Sequence, residues 1–292
     1  MYLKLKRIVK KGKVLKNESL KNYTSFKIGG RAKFVVMPAD IAELVDLIDF
    51  LENKKINFFV LGNGTNVLAP DENYNGVIVC TKLLNSVRLY SDYVQVFCGA
   101  TINEVCKFYA DHNMAGFEDA FGIPGSVGGA VKMNASAYEF EMSKVVAGVF
   151  ALVDGKIKYY TNEECEFDYR TSVFNNAVII SVDLLKTEQP CNRKRMSFVM
   201  NLRKSFQPLN MPSAGSVFKR IDGKPVSKII DELGFKGLSI GGAKVSEKHA
   251  GFIVNCDNAT SKDVKLLINK IKKQVYLSNG IKLEEEIKYI EN

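Results

Sequence analysis

The stretch Phe121–Tyr138, FGIPGSVGGAVKMNASAY, decides how this chain is read. Glycine occupies positions 122, 125, 128 and 129 and proline position 124, and the run Asn134-Ala135-Ser136-Ala137 has only short side chains. Glycine disorders a chain unless the backbone must take a positive φ or lie close against something. One turn needs one or two glycines, and this segment has four. Its pattern is a turn entering a helix, a geometry that aims N–H groups at an anion. Two readings stand: close packing of a helix on a sheet, and a phosphate-bearing ligand whose flat ring lies on bare backbone. The number of glycines favours the second.

The flanks are α+β in pattern. AKFVVMP reads as a strand, and ADIAELVDLIDFLENKK reads as a helix with Ile41, Leu44, Val45, Ile48 and Leu51 on one face. Asp40 and Glu43 are spaced as a capping box. INFFVLG, GVIVC and YVQVFCG read as strands. TINEVCKFYADHNM reads as a helix that opens on Thr101 and Glu104. VFALV-DG-KIKYY is a hairpin turning at Asp154-Gly155, and AVIISVDLL is a further strand. Near Pro190 the character changes to a basic helix, CNRKRMSFVMNLRKSF. A βαββαβ order follows: GSVFKR, VSKIIDELG, GGAKVS, AGFIVN, a helix from Thr260 to Ser278, and KLEEEIKYI. The pattern places a domain boundary near residue 190.

At 292 residues the chain is long enough for two or three domains. No apolar run approaches the ~18 residues that span a bilayer, and the basic N-terminus lacks the apolar core of a signal peptide. A cytoplasmic protein without membrane insertion is expected. Cys80, Cys98, Cys106, Cys165, Cys191 and Cys256 form no Cys-x-x-Cys pair and the histidines number two, so no metal site is expected. The net charge of +9 is spread along the chain, only eight of its 41 basic residues are arginine, and no nucleic-acid motif accompanies it. It favours small anions rather than nucleic acid.

Five further stretches bear on chemistry. LGNGTNVL (Leu61–Leu68) runs from a strand into Gly-x-Gly, but Val67 stands at the third glycine position and a turn follows instead of a helix, which argues against a dinucleotide fingerprint. Gly62, Asn63, Gly64, Thr65 and Asn66 suit either a phosphate nest or a tight turn. TSFKIGGRA pairs two glycines with Lys27 and Arg31. In YRTSVF, Arg170 sits among aromatic and apolar residues, and a buried guanidinium needs an anion. In PSAGSVFKR, Ser216 lacks the surroundings of a hydrolase nucleophile, and locally it reads as structural. LEEEIKYI puts Glu284 and Glu286 on one face of a strand and Glu285 on the other, ordinarily a solvent pattern.

Together these stretches resemble the UDP-N-acetylenolpyruvoylglucosamine reductase (UDP-N-acetylmuramate dehydrogenase) family, from about Leu20 to Ile290. The motifs that carry the resemblance are YTSFKIGGRA, LGNGTNVL, GFEDAFGIPGSVGGAVKMNASAY, YRTSVF, QPLNMPSAGSVFKR, GGAKVSEKHAGFIVN and LEEEIKYI. The short C-terminal region resembles the family's second subtype. The resemblance implies an α+β flavin-binding fold of the vanillyl-alcohol-oxidase type in two N-terminal subdomains, residues 1–78 and 79–189, plus an α+β UDP-sugar domain, residues 190–292.

It also implies non-covalent FAD, NADPH as hydride donor and UDP-N-acetylglucosamine enolpyruvate as substrate, in peptidoglycan precursor synthesis, with a monomer expected. NADPH reduces the flavin, which then delivers hydride to the methylene carbon of the enolpyruvyl ether. Arg170 matches the family arginine whose planar fork suits the substrate carboxylate. Glu286 matches the glutamate that hydrogen-bonds the developing charge, and Ser216 the serine that protonates the adjacent carbon. By the same resemblance Gly62, Asn63, Gly64, Thr65, Asn66, Gly122, Pro124, Gly125, Ser126, Gly128, Gly129, Ala130 and Asn134 hold FAD, and Lys219, Arg220, His249 and Lys288 hold the UDP-sugar.

Four residues depart from the family pattern. Lys27 and Lys288 stand where arginine is usual, Ser136 replaces a usual glycine, and Glu139 follows Tyr138 where glycine is common. Another oxidase of the same fold and a silent sugar-nucleotide-binding regulator are the rival readings, and retention of Arg170, Ser216 and Glu286 argues against both.

Overall fold

The computed structural model describes residues 1–221 and 223–291. The strongest sequence periodicities become its best-formed elements. Helix Ile102–Asp111 opens on a complete capping box, with Thr101 and Glu104 satisfying each other's backbone N–H. Helix Ile41–Asn53 buries Leu44, Leu47, Ile48 and Leu51, and the Asp40 side chain accepts the Glu43 N–H at 2.9 Å.

The reciprocal half of that second box takes another form. The Glu43 carboxylate is buried and accepts N–H groups from Ala39 at 2.9 Å, Gly12 at 3.1 Å and Lys11. A buried carboxylate is costly unless donors surround it, and the backbone before the helix supplies them. The hairpin Val146–Val153/Lys156–Thr161 turns on Asp154 (φ 51°) and Gly155 (φ 70°), the paired left-handed residues that a two-residue turn requires.

Three sheets organise the chain. One has strands Lys13–Ser19, Arg31–Met37, Tyr74–Cys80 and Phe58–Leu61 in that order, the last two parallel. A five-stranded antiparallel sheet runs Lys156–Thr161, Val146–Val153, Val178–Leu185, Tyr93–Phe97 and Val87–Leu89. A third antiparallel sheet runs Ser213–Ser216, Phe252–Asn255, Ala243–Val245 and Ser239–Ile240. The expected long strand KLEEEIKYI is shorter: Lys288–Tyr289 pairs in parallel with Val67–Leu68, and Glu285 makes a lone bridge to Phe218.

By contacts the described residues divide into two units. One comprises residues 1–16, 34–63 and 76–201, and the other 17–33, 64–75 and 202 onward. The division differs from three contiguous segments because residues 17–33 and 64–75 share a core with the C-terminal part. That core contains Phe26, Ile28, Leu68, Val217, Ile230, Val245, Ile253, Leu267 and Ile271. The first unit has its own core, including Leu47, Val96, Val105, Tyr109, Val149 and Val182.

Candidate active site and cofactor cradle

In the first unit the glycine-rich stretch does enter a helix, Val127–Lys132, capped by Ser126, whose hydroxyl accepts the Gly129 N–H at 3.3 Å. The helix is short, and its first N–H groups stay within the protein. Val127 donates to Ala100 O at 2.8 Å and Gly128 to Cys98 O at 2.9 Å. The N–H groups of Gly125 and Ser126 find no acceptor among the described residues. Gly122 (φ 87°) donates to Asn103 Oδ1 at 2.7 Å, and Gly125 adopts φ 118°. Asn103 had no signal in the sequence, since its role exists only once the helix Ile102–Asp111 is placed.

The glycines separate by cause. A Cβ on Gly128 would lie 2.9 Å from Cys98 Cβ and 3.1 Å from Cys98 O, so this glycine serves helix–sheet packing. A Cβ on Gly62 would lie 2.1 Å from Ser126 Oγ, so the two glycine-rich turns touch there. A Cβ on Gly129 would meet nothing closer than Ser126 Oγ at 3.4 Å, and the residue is exposed. Among the described residues nothing requires that glycine. Open space over Gly129 and the unsatisfied N–H groups of Gly125 and Ser126 fit a flat, phosphate-bearing group lying on this backbone.

Arg170 lies in the same unit. It occupies a left-handed position (φ 59°) in a tight turn closed by reciprocal main-chain bonds between Asp168 and Thr171, both 3.2 Å. Ser172 Oγ donates to Lys132 O at 3.0 Å, which fastens this turn to the end of the glycine-entered helix. The Arg170 guanidinium donates to Ser136 Oγ at 3.0 Å. Asn134 is 2% exposed; its amide donates to Glu141 Oε1 at 2.7 Å and Asp168 O at 3.2 Å, and its oxygen accepts the Ser143 N–H at 3.0 Å. The Asn134 side chain is therefore committed to holding the Arg170 turn. Ala130 is buried and Pro124 exposed.

In the second unit Val217 is the hub. Its N–H donates to Gly251 O at 2.9 Å, and its carbonyl accepts the Glu286 N–H at 2.7 Å. Ser216 pairs with Phe252 on one side, so three separated motifs converge. A fourth joins them: Asn66 donates from its amide to Glu286 O at 3.1 Å and accepts the Lys288 N–H at 2.9 Å. Gly64 (φ 66°) lies against Tyr23 and Thr24, where a Cβ would come 2.1 Å from Tyr23 O. Its N–H and that of Thr65 find no acceptor among the described residues. Ser216 and Glu286 are half-buried, while Arg220 and Lys288 are exposed.

The glutamate run is not a plain solvent face. Glu284 pairs with Lys219 at 3.0 Å, and Glu285 pairs with Lys272 at 2.8 Å and accepts the Tyr289 hydroxyl. His249 accepts the Gly251 N–H on Nδ1 at 3.2 Å, and burial lowers its pKa. It is thus a neutral ring with Nε2–H as its donor.

The chain is similar to known proteins over nearly its whole length. Residues 32–158 match the family described as "FAD binding domain", and residues 207–290 match "UDP-N-acetylenolpyruvoylglucosamine reductase, C-terminal domain". The UDP-N-acetylenolpyruvoylglucosamine reductase of Caldanaerobacter subterraneus subsp. tengcongensis is 43% identical, over 98% of this chain and 97% of that one. The enzyme of the same name from Thermotoga maritima is 41% identical, over 92% and 96%. The crystal structure of the Thermus caldophilus reductase superimposes with a TM-score of 0.82 at 31% identity, covering 96% of this chain and 99% of that one. Near-full-length identity at this level, with both parts of the fold matched, means that this chain belongs to the UDP-N-acetylenolpyruvoylglucosamine reductase family of FAD-dependent oxidoreductases.

Proposed function

We propose that Arg170, Ser216 and Glu286 carry the reduction of UDP-N-acetylglucosamine enolpyruvate in this chain, with the two glycine-rich turns holding FAD. The main-chain bonds at Val217 carry this reading, because they set the residue next to Ser216 against Glu286, 69 positions further along the sequence. When bound, FAD takes reducing equivalents from NADPH and passes them to the methylene carbon of the enolpyruvyl ether. Gly122, Gly125, Ser126 and Gly129 offer it bare backbone, and Gly62, Asn63, Gly64, Thr65 and Asn66 offer main-chain N–H groups to its pyrophosphate.

Addition at the methylene carbon drives charge into the substrate carboxylate. The Arg170 fork binds that carboxylate in two parallel hydrogen bonds. Glu286 donates a hydrogen bond to the same oxygens when protonated, and the Ser216 hydroxyl supplies the proton to the neighbouring carbon. Lys219, Arg220, His249 and Lys288 serve the UDP-sugar, the cations by charge and His249 through its Nε2–H. The flavin is held without a covalent bond. Cys98, the cysteine packed against Gly128, is buried with its thiol pushed up to about 12, and a protonated thiol is a poor nucleophile. Six free thiols suit a reducing compartment, the cytoplasm.

The test is a visible spectrum of the purified protein. Addition of NADPH bleaches the flavin band, and the enolpyruvyl UDP-sugar then restores it. A chain that binds no flavin, or whose bleached flavin the substrate leaves unchanged, refutes the proposal.

A further inference from the structure

We propose that Ser136 is a positioning residue for the Arg170 guanidinium, on a frame set by Asn134; this rests on Arg170 being the group that receives the substrate carboxylate. Arg170 is half-buried at the tip of a two-residue turn. Arginine has many rotamers, and such a tip fixes only the backbone. The 3.0 Å bond from Nη1 to Ser136 Oγ holds the side chain, whose Cζ also lies 5.3 Å from the Tyr169 ring centroid. The hydroxyl is itself well placed, since Ser136 pairs with Glu141 in the short hairpin Ser136–Ala137/Phe140–Glu141.

Asn134 joins the two pieces. Its buried amide reaches Glu141 on the hairpin and Asp168 at the base of the arginine turn, and its oxygen accepts the Ser143 N–H. An asparagine supplies these two donors and one acceptor from one side chain, and an aspartate cannot donate. The hairpin and the turn therefore share one register, and Ser136 holds a constant place relative to Arg170.

The chemistry of a hydroxyl matters here. A carboxylate beside Arg170 would aim the guanidinium but neutralise it, competing with an anionic substrate. A serine oxygen accepts one N–H and brings no charge of its own against the guanidinium.

The experiment compares wild-type holoenzyme, Ser136→Ala and Ser136→Thr. In guanidinium-selective ¹⁵N spectra, with the Arg170 signals identified by their loss in Arg170→Ala, wild type shows slow Cζ–N rotation. Ser136→Ala shows averaged signals, and Ser136→Thr restores the slow regime. Flavin content and bleaching by NADPH stay at wild-type levels in both. Reoxidation by the enolpyruvyl UDP-sugar slows about tenfold in Ser136→Ala, the loss that one charge-assisted hydrogen bond commands, and recovers in Ser136→Thr. Calorimetric binding of the same substrate to oxidised enzyme weakens in Ser136→Ala, but not when Ser136→Ala is added to Arg170→Ala, because nothing is left to aim.

Unchanged Arg170 signals in Ser136→Ala overturn the proposal whatever the substrate is. Equal weakening in the two backgrounds overturns it as well, since Ser136 then acts by another route. A wild-type holoenzyme that the enolpyruvyl UDP-sugar cannot reoxidise overturns instead the reading of Arg170 as a carboxylate binder, and with it the catalytic consequence of the brace.

Discussion

Gly129→Ala asks whether the glycine-rich stretch serves the fold or a ligand. Within a helix alanine is favoured over glycine by about 1 kcal/mol. The added methyl meets nothing nearer than Ser126 Oγ at 3.4 Å. The flavin-free variant should therefore be as stable as wild type or up to about 1 kcal/mol more stable. If a flavin lies on this backbone, the same methyl holds it away, and FAD affinity should fall at least about tenfold, roughly 1.4 kcal/mol. Gly128→Ala is the contrasting change. Its methyl is driven into Cys98 at 2.9 Å, and overpacking of this kind costs about 1–3 kcal/mol in the flavin-free protein. The assay is urea denaturation of deflavinated protein, followed by FAD titration of the refolded samples. Wild-type FAD affinity in Gly129→Ala, or a loss of stability equal to that of Gly128→Ala, would refute the reasoning.

Three further outcomes are expected. Ser216→Ala should leave bleaching by NADPH near normal and slow reoxidation by the enolpyruvyl UDP-sugar about a hundred- to ten-thousandfold, and equal slowing of the two halves would remove Ser216 from the proton-donor role. Burial holds His249 below the ordinary value of 6.5, so the unfolded chain gains a proton there first and stability declines as pH falls through and below 6.5; denaturation midpoints of His249→Gln should decline less between pH 7.5 and pH 5.5, and parallel curves would contradict this. Cys256 is exposed, whereas burial pushes the thiols of Cys98 and Cys165 up to about 12 and that of Cys106 higher still; a chromogenic disulfide reagent at pH 8 should label Cys256 first, and rapid reaction of the buried thiols in folded protein would show that they open.

Some of this molecule was determined by its sequence alone. Local chemistry fixes the helix at Thr101 through side chains three residues apart, and it fixes the hairpin at Asp154-Gly155 because few residue pairs accept two left-handed conformations in succession. The glycines at 64, 122 and 125 do adopt positive φ, the reason a sequence reader expects glycine at all. Other features depend on partners far away along the chain. Two-residue strands such as Val67–Leu68 and Lys288–Tyr289 have no pattern of their own and exist only as a pair. Glu43 is spaced as a cap, yet burial turns its carboxylate toward Gly12 and Lys11. Ser216 reads locally as structural, and only the main-chain bonds at Val217 bring its strand against the Glu286 segment. The same holds within the deciding stretch itself. Sequence gives four glycines of equal standing, and tertiary structure separates them: Cys98 packs against the space beside Gly128, whereas a Cβ on Gly129 meets no described neighbour nearer than Ser126 Oγ at 3.4 Å, because what a missing side chain makes room for depends on which neighbour the fold brings to that face.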